Sequence, residues 1–229
     1  MTDYSDSYDP DTDFDRFYTI ATGEAIAEHL GPRDRVLEMG CATGLMSSLF
    51  VAAGATVVGV DRSEAYLARA RARHLISASF VQDNVSHFRS GVPYDHVVVT
   101  NVIHELEHPG QFLRHCHHLL RHDGMLHLAS QNPESVHRLV ALDLGLICDC
   151  SEVSERGRQW GTVRLYTAFE LEALAVNAGF SLIGRQGIVF KPLPNDEMAR
   201  LPVEVLEGFR LVAHRFPDNC AVNYLTFRA

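Results

Sequence analysis

The chain has 229 residues, 46% of them hydrophobic, and a formal net charge of −9. This length can bury one good core with an inserted cap, but hardly two full domains. The negative charge, with Lys191 as the only lysine, would repel phosphate polymers, which argues against nucleic acid as a substrate.

Strand-like and helical runs alternate along the first 130 residues. In chain order, the predicted elements are a helix over 17–30, a strand over 35–39, a helix over 45–53, a strand over 55–60, a helix over 63–74, strands over 79–81 and 96–100, a helix over 109–120 and a strand over 125–129. This alternation predicts an α/β fold with a doubly wound, mostly parallel sheet that helices cover on both faces.

The pattern changes after Ser130. Residues 133–147 are predicted to form a helix and residues 148–160 a polar, irregular stretch, so residues 131–166 are expected to form a cap. The remaining predicted elements are a helix over 167–178, strands over 182–190 and 221–227, and a helix over 203–214 between those strands.

The most informative local pattern is Val36-Leu-Glu-Met-Gly-Cys-Ala-Thr-Gly44, followed by Val57-Val-Gly-Val-Asp61. Glycines at 40 and 44 let the backbone turn tightly and approach a ligand closely. Asp61 ends a strand 21 residues after Gly40, close to the offset at which doubly wound folds place a ribose-binding carboxylate. The pattern therefore predicts a nucleoside cofactor, whereas a nicotinamide loop would need glycine where Ala42 and Leu45 stand.

The segment Glu38-x-Gly40-x-Ala42-x-Gly44 resembles motif I of the class I S-adenosylmethionine-dependent methyltransferases, with alanine at the middle glycine. Further matches follow in the family's order: Asp61, the turn Phe80-Val-Gln-Asp83-Asn84, the strand that leads to Asn101, and residues 119–130. The resemblance implies a seven-stranded, mostly parallel, Rossmann-like sheet with an antiparallel carboxyl-terminal hairpin. It also implies S-adenosylmethionine as the cofactor.

The same resemblance implies how the chain is organised. Residues 1–34 would form a lid and a helix, residues 35–130 the cofactor-binding core, residues 131–166 the cap, and residues 167–229 the rest of the fold. The implied cofactor-binding residues are Glu38, Gly40, Cys41, Gly44, Asp61, Arg62, Asp83, Asn84, Thr100 and Asn101. For the acidic stretch at residues 3–15, a solvated tail is the alternative to a lid.

The loop after the fourth predicted strand contains His104-Glu-Leu-Glu-His108, which matches the H-E-x-x-H signature of zinc metalloproteases. That signature requires a helix carrying both histidines, whereas this copy follows a strand and is ended by Pro109. Aligned on Asn101 and Pro109, the loop is similar to that of ubiquinone-biosynthesis-type methyltransferases, except that His-Glu replaces the more frequent Glu-His. His104 is the first candidate for a general base because histidine titrates near neutral pH, and Glu105 is the second. The alternative is that both residues only hold the loop.

Acceptor selectivity is expected from the cap and the amino-terminal region, near the carboxyl edge of the sheet where open α/β folds bind ligands. The candidate substrate-binding residues are Tyr8, Tyr18, Gln131, Asn132, Arg138, Arg164 and Tyr166. The carboxylates of an acidic lid would favour a cationic acceptor.

The leading hypothesis is S-adenosylmethionine-dependent methyl transfer to a nitrogen or oxygen atom of a small metabolite, in a biosynthetic pathway. A catalytically inactive cofactor sensor or partner subunit is the alternative, and a zinc hydrolase built on His104, Glu105 and His108 is a remote one. The five cysteines lack CxxC spacing, which predicts a reduced protein with no bound metal. The amino terminus is acidic and lacks an apolar run, which predicts a cytoplasmic protein with no membrane partner.

Overall fold

A computed structural model describes residues 8–229, so residues 3–7 of the acidic segment lie outside the described part. The strands are β1 (Arg35–Met39), β2 (Thr56–Asp61), β3 (Ala78–Gln82), β4 (Tyr94–Thr100), β5 (Leu120–Gln131), β6 (Ser181–Phe190) and β7 (Cys220–Arg228). They form one seven-stranded sheet in the order β3-β2-β1-β4-β5-β7-β6. Strand β7 runs antiparallel to both of its neighbours, β5 and β6, and the other paired strands are parallel. The predicted fold class is confirmed.

Helices cover both faces of this sheet. They are α1 (Asp15–Ala27), α2 (Leu45–Ala52), α3 (Glu64–Ala72), α4 (Pro109–Leu119), α5 (Val136–Asp143), α6 (Glu155–Gln159), α7 (Ala168–Asn177), α8 (Asn195–Met198) and α9 (Val203–Val212). Within residues 8–229, no helix is both long and apolar enough to cross a membrane.

Two apolar cores lie on opposite faces of the sheet, because successive strand side chains point to opposite sides. Leu37 belongs to the core that also contains Leu113 of α4 and Leu171 of α7. The preceding residue, Val36, belongs to the core that contains Phe50 of α2. Each such fully buried side chain contributes roughly 1.5–3 kcal/mol relative to an exposed one. The two cores fix the sheet edge where β1, β2 and β4 end.

The predicted elements of the cap region need correction. The helix predicted over 133–147 is the shorter α5, which is followed by Gly145 in the left-handed conformation, with a φ of 69°. The stretch predicted as irregular contains α6, whose first turn is capped by the Ser154 side chain accepting a hydrogen bond from the Gly157 N–H. Helix α8 was not predicted either, since four residues are too few to show a helical period.

Candidate active site

A cavity of about 1110 Å³ lies at the carboxyl ends of β1, β2 and β4. The loop after β1 borders it and turns through three residues with positive φ: Gly40 at 82°, Ala42 at 44° and Gly44 at 71°. A Cβ atom at Gly40 would collide with the side chain of Val102. Glycine is therefore required at position 40 by both backbone conformation and space.

Asp61, at the end of β2, links this loop to the cavity. Its two carboxylate oxygens each accept one backbone hydrogen bond of 2.9 Å, from the N–H groups of Ala42 and Ser63. Burial raises the pKa of Asp61, while these two hydrogen bonds lower it. A carboxylate offers about four acceptor positions, so Asp61 retains capacity for a pair of hydroxyl groups such as those of a ribose.

Glu38 is the second acid at the loop, and it lies almost completely buried at the end of β1. Burial raises its pKa to about 8, against the lowering effect of a hydrogen bond that the Ser47 hydroxyl donates to it. The nearby Asp61 raises the pKa further. Glu38 is therefore mostly protonated at neutral pH and can donate a hydrogen bond as well as accept one.

The loop after β3 forms the opposite wall of the cavity. The Asp83 carboxylate accepts a hydrogen bond of 2.7 Å from the Asn84 N–H, and the Asn84 side-chain oxygen accepts one of 2.9 Å from the Ser86 N–H. These local bonds fix both side chains at the cavity wall.

Most predicted cofactor-binding residues line this cavity: Glu38, Gly40, Asp61, Arg62, Asp83, Asn84, Thr100 and Asn101. Cys41 and Gly44, the other two predicted residues, do not line it. Cys41 is buried against Gly59, and Gly44 packs against Ala70 and the Phe80 ring. Both residues support the loop on the side that faces away from the cavity.

A second cavity, of about 230 Å³, adjoins the first. The residues that line both are Tyr8, Thr19, Asn101 and Glu105. Asn101 follows β4 directly with a φ of 53°, a left-handed conformation that non-glycine residues adopt mainly where the surrounding structure imposes it. The two cavities therefore meet at the end of β4, around Asn101.

His104 and Glu105, the two candidate general bases, lie in a 3-10 turn at Ile103–Glu105. His104 is buried and lines the small cavity, and its Nδ1 has no hydrogen-bond partner within residues 8–229. Burial lowers the pKa of His104 to about 4, so the imidazole is neutral at pH 7. The Glu105 carboxylate is instead paired with Arg62 at 3.5 Å. His104 thus has a ring nitrogen without a hydrogen-bond partner among the described residues, whereas the Glu105 carboxylate is engaged by Arg62.

The zinc hypothesis requires His104 and His108 to lie on one face of a helix. His104 lines the small cavity, whereas His108 precedes α4 and lines the large one. The two histidines therefore do not share a helix face, which the H-E-x-x-H arrangement requires. No group of three or more metal-binding side chains occurs among residues 8–229.

Five of the seven predicted substrate-binding residues line the small cavity: Tyr8, Tyr18, Gln131, Asn132 and Arg138. Asn132 also fastens β7, because its amide donates hydrogen bonds of 2.8 and 2.9 Å to the carbonyls of Asp218 and Cys220.

Arg164 and Tyr166, the other two, line neither cavity. Arg164 is exposed, pairs with Glu170 and lies 5.1 Å from the centre of the Tyr166 ring. These contacts fasten the cap to α7.

Asp15, Lys191 and Asn195 are among the residues of the small cavity that were not predicted from the sequence. The Asn195 amide donates a hydrogen bond of 2.7 Å to Asp15, and its oxygen accepts one of 3.1 Å from the Tyr18 hydroxyl. The sequence shows that Lys191 is the only lysine, but no sequence pattern indicates that it lies in the same cavity as Asp15.

Residues 8–13, which we call the amino-terminal strap, cross the cavity region. The Arg69 guanidinium pairs with Asp9 and with Asp11, both at 2.7 Å, and Arg73 pairs with Asp11 at 2.5 Å. Two strap carboxylates are thus neutralised by arginines of the α3 region. These two acids are thus engaged, whereas Asp15 of the same acidic stretch lines the small cavity, and a cationic acceptor stays a prediction.

The strap also contacts the cap. The Tyr8 and Trp160 rings lie 4.6 Å apart, and Arg156 pairs with Asp13 at 3.6 Å. Tyr8 lines both cavities, so the strap joins the α3 side of the site to the cap side.

A family model described as a methyltransferase domain matches residues 15–184 of this chain. A ubiquinone biosynthesis O-methyltransferase of Pseudomonas aeruginosa (strain LESB58) is 29% identical over 103 residues, or 43% of this chain and 44% of that protein. A protein of the same name from Sinorhizobium medicae (strain WSM419) is 27% identical over 211 residues, or 84% of this chain and 81% of that protein. The chain thus spans less than half the length of the first of these relatives.

Among solved structures, the 1,6-didemethyltoxoflavin N1-methyltransferase of Burkholderia thailandensis, with bound 1,6-didemethyltoxoflavin and S-adenosylhomocysteine, has the same fold. It is 19% identical, with a TM-score of 0.64 over 92% of this chain and 77% of that chain.

Proposed function

Because the chain belongs to the class I S-adenosylmethionine-dependent methyltransferases, we propose that it transfers a methyl group to an oxygen or nitrogen atom of a small metabolite. The observation that carries the proposal is the meeting of two cavities at Asn101. The larger has the acids and the glycine loop that suit a nucleoside cofactor, and the smaller has room for an acceptor and contains a neutral buried histidine.

The residues present fit the cofactor. Asp61 keeps acceptor capacity for two ribose hydroxyls, Asp83 and Asn84 line the same cavity with polar side chains suited to an adenine edge, and the protonated Glu38 can donate a hydrogen bond. When bound, S-adenosylmethionine supplies an electrophilic methyl group on a sulfonium. The chain's own side chains must orient the acceptor and remove its proton.

His104 is the proposed proton acceptor. Its Nδ1 has no hydrogen-bond partner within the described chain, and the neutral ring can accept a proton there, although burial makes it a weaker base than an ordinary histidine. A hydroxyl acceptor needs such a base more than a neutral amine does. Since the two curated relatives are named O-methyltransferases, hydroxylated metabolites of a biosynthetic pathway are the first acceptor class to test. We also propose a cytoplasmic location, on the cysteine pattern.

The direct test is turnover. Purified protein would be incubated with S-adenosylmethionine and a panel of small phenols, alcohols and amines, and S-adenosylhomocysteine would be measured by mass spectrometry. Acceptor-dependent product that Asp61→Ala reduces, when S-adenosylmethionine is supplied near the wild-type dissociation constant, supports the proposal. A wild type that binds S-adenosylmethionine in calorimetry but turns over no acceptor would instead favour the second candidate, a cofactor sensor. That candidate is motivated by Ala42 in place of glycine and by the order His104-Glu105.

A further inference from the structure

The small cavity contains a cation that forms no close ion pair with another described residue, although Asp15 of the same cavity attracts it. Lys191, the only lysine of the chain, directly follows β6, and its ammonium lies 5.5 Å from the centre of the Tyr18 ring. Within residues 8–229, no ion pair of 4 Å or less joins it to a carboxylate. The cation–π contact offsets only part of the cost of removing an ammonium group from water.

The other charged groups of this cavity are already engaged. Glu105 is paired with Arg62 at 3.5 Å, and Arg156 with Asp13 at 3.6 Å. Asp15 accepts the hydrogen bond from Asn195. Lys191 is thus a cation of this cavity whose N–H donors remain available for an added anion.

Arg138 adds a second positive charge near Lys191. Its guanidinium donates hydrogen bonds of 2.8 and 2.5 Å to the backbone carbonyls of Cys150 and Glu152, which engage two of its five N–H donors and do not neutralise its charge. Burial lowers the pKa of Lys191 to about 8, the attraction of Asp15 opposes this shift, and the repulsion of Arg138 adds a smaller lowering effect. Lys191 remains mostly protonated at neutral pH.

We propose that the methyl acceptor carries a carboxylate group, and that Lys191 binds this carboxylate inside the small cavity. The proposal rests on the proposed function, because it assigns the cavity to the acceptor. Lys191 lines only the small cavity, whereas Asn101 and Glu105 line both. An acceptor held by Lys191 therefore directs its remaining atoms towards Asn101 and His104.

Charge and size narrow the ligand further. Asp15 lines the same cavity and would repel a phosphate dianion more strongly than a singly charged carboxylate. The volume of about 230 Å³ is below the roughly 300–1,000 Å³ of pockets for drug-sized ligands. The acceptor is thus a small carboxylic acid with a hydroxyl or amino group at some distance from its carboxylate.

The single lysine makes the test specific. Protein labelled with [ε-13C]lysine and saturated with S-adenosylhomocysteine gives one lysine signal, which can be followed against pH in the presence of benzoate or of benzamide, its neutral isostere. The expected result is a rise in the pKa of Lys191 by about one pH unit or more with benzoate and none with benzamide. Equal responses to both probes, or none to either, would overturn the proposal.

Two variants complete the test. Lys191→Met should reduce benzoate binding, measured by calorimetry, to the level of benzamide binding. Arg215→Lys adds a second signal from an exposed position, and that signal should not respond to benzoate. These experiments measure binding alone, so the carboxylate site can fail while methyl transfer is observed, and methyl transfer can fail while benzoate still binds to Lys191.

Discussion

The backbone N–H of Ala42 donates a hydrogen bond of 2.9 Å to Oδ2 of Asp61. Ala42 stands where the family motif has glycine, and it adopts the left-handed conformation with a φ of 44°. That conformation costs a non-glycine residue roughly 1–2 kcal/mol. The hydrogen bond to a charged acceptor offsets a cost of this size. Asp61 thus supports the loop as well as facing the cavity.

Ala42→Gly should leave both stability and cofactor affinity nearly unchanged. Relief of the left-handed strain is offset by the greater entropy of glycine in the unfolded chain, so the free energy of unfolding should change by less than about 1 kcal/mol. Ala42→Val, with a branched side chain at positive φ, should lose about 1–3 kcal/mol. Urea titration and calorimetry with S-adenosylmethionine measure both effects. A large gain of turnover in Ala42→Gly would instead identify alanine as an inactivating residue.

Asp61→Ala should weaken S-adenosylmethionine binding by about 10- to 100-fold. The substitution removes the acceptor of two backbone N–H groups and the capacity left for ribose hydroxyls, and each hydrogen bond to a charged group contributes about 1.5–3 kcal/mol. Calorimetry measures the affinity. Asp196→Ala deletes the same side chain from an exposed position and should bind like the wild type. Unchanged affinity in a folded Asp61→Ala protein would exclude Asp61 from the cofactor site.

Sequence patterns anticipated the parts of this site that are local. Apolar runs bounded by glycine and aspartate give β1 and β2 to within a residue, and the 21-residue spacing of Gly40 and Asp61 brings both to one cavity. The orientation of side chains within the loop was not predictable. The Cys41 side chain points towards Gly59, and no sequence pattern indicates this direction.

The small cavity shows why the rest was not predictable. Asp15 and Asn195 are hydrogen-bonded although they are 180 positions apart, and Lys191 reaches the same cavity from the end of β6. Such contacts depend on the packing of α1 against the carboxyl-terminal strands and have no periodic signal. Arg164 failed as a prediction for the opposite reason: its local partner Glu170 holds it at the surface.

Breaking the strap should speed the release of S-adenosylhomocysteine. Asp9→Asn combined with Asp11→Asn removes three ion-pair contacts to Arg69 and Arg73. These groups are partly exposed, so we expect a roughly threefold to tenfold faster dissociation rate rather than a large one, measured by stopped-flow fluorescence.

The control for the strap variant is Glu207→Gln, which breaks a surface pair with Arg210 of similar exposure and should leave the dissociation rate unchanged. An equal rate in the strap variant and the wild type would show that residues 8–13 do not retain the ligand.

His127 should make the fold sensitive to acid. It is fully buried, hydrogen-bonded to His96 at 2.9 Å and to the Tyr224 hydroxyl at 2.8 Å. Burial holds its pKa well below the ordinary value. Below about pH 6.5 the unfolded chain therefore binds a proton that the native state does not, and stability falls by up to about 1.4 kcal/mol per pH unit.

His127→Gln tests this sign directly. The variant should be less stable than the wild type at pH 8, and the difference in unfolding free energy should shrink as pH falls from 6.5 towards 5. Urea titrations followed by circular dichroism provide the values. His122→Gln, at a side chain that is 93% exposed, should show no such convergence. Parallel pH profiles for wild type and His127→Gln would mean that His127 is protonated in the native state.

His104→Gln should lower kcat by about 10²- to 10⁴-fold for a hydroxyl acceptor, the range typical of general-base catalysis, without weakening S-adenosylmethionine binding. Because burial lowers the pKa of His104 to about 4, the base stays neutral and active down to about pH 5. The ratio of wild-type to variant kcat should therefore be constant between pH 8 and 5.5. A ratio that already falls between pH 7 and 6 would assign His104 an ordinary pKa, and a kcat equal to that of the exposed control His214→Gln would exclude His104 from proton transfer.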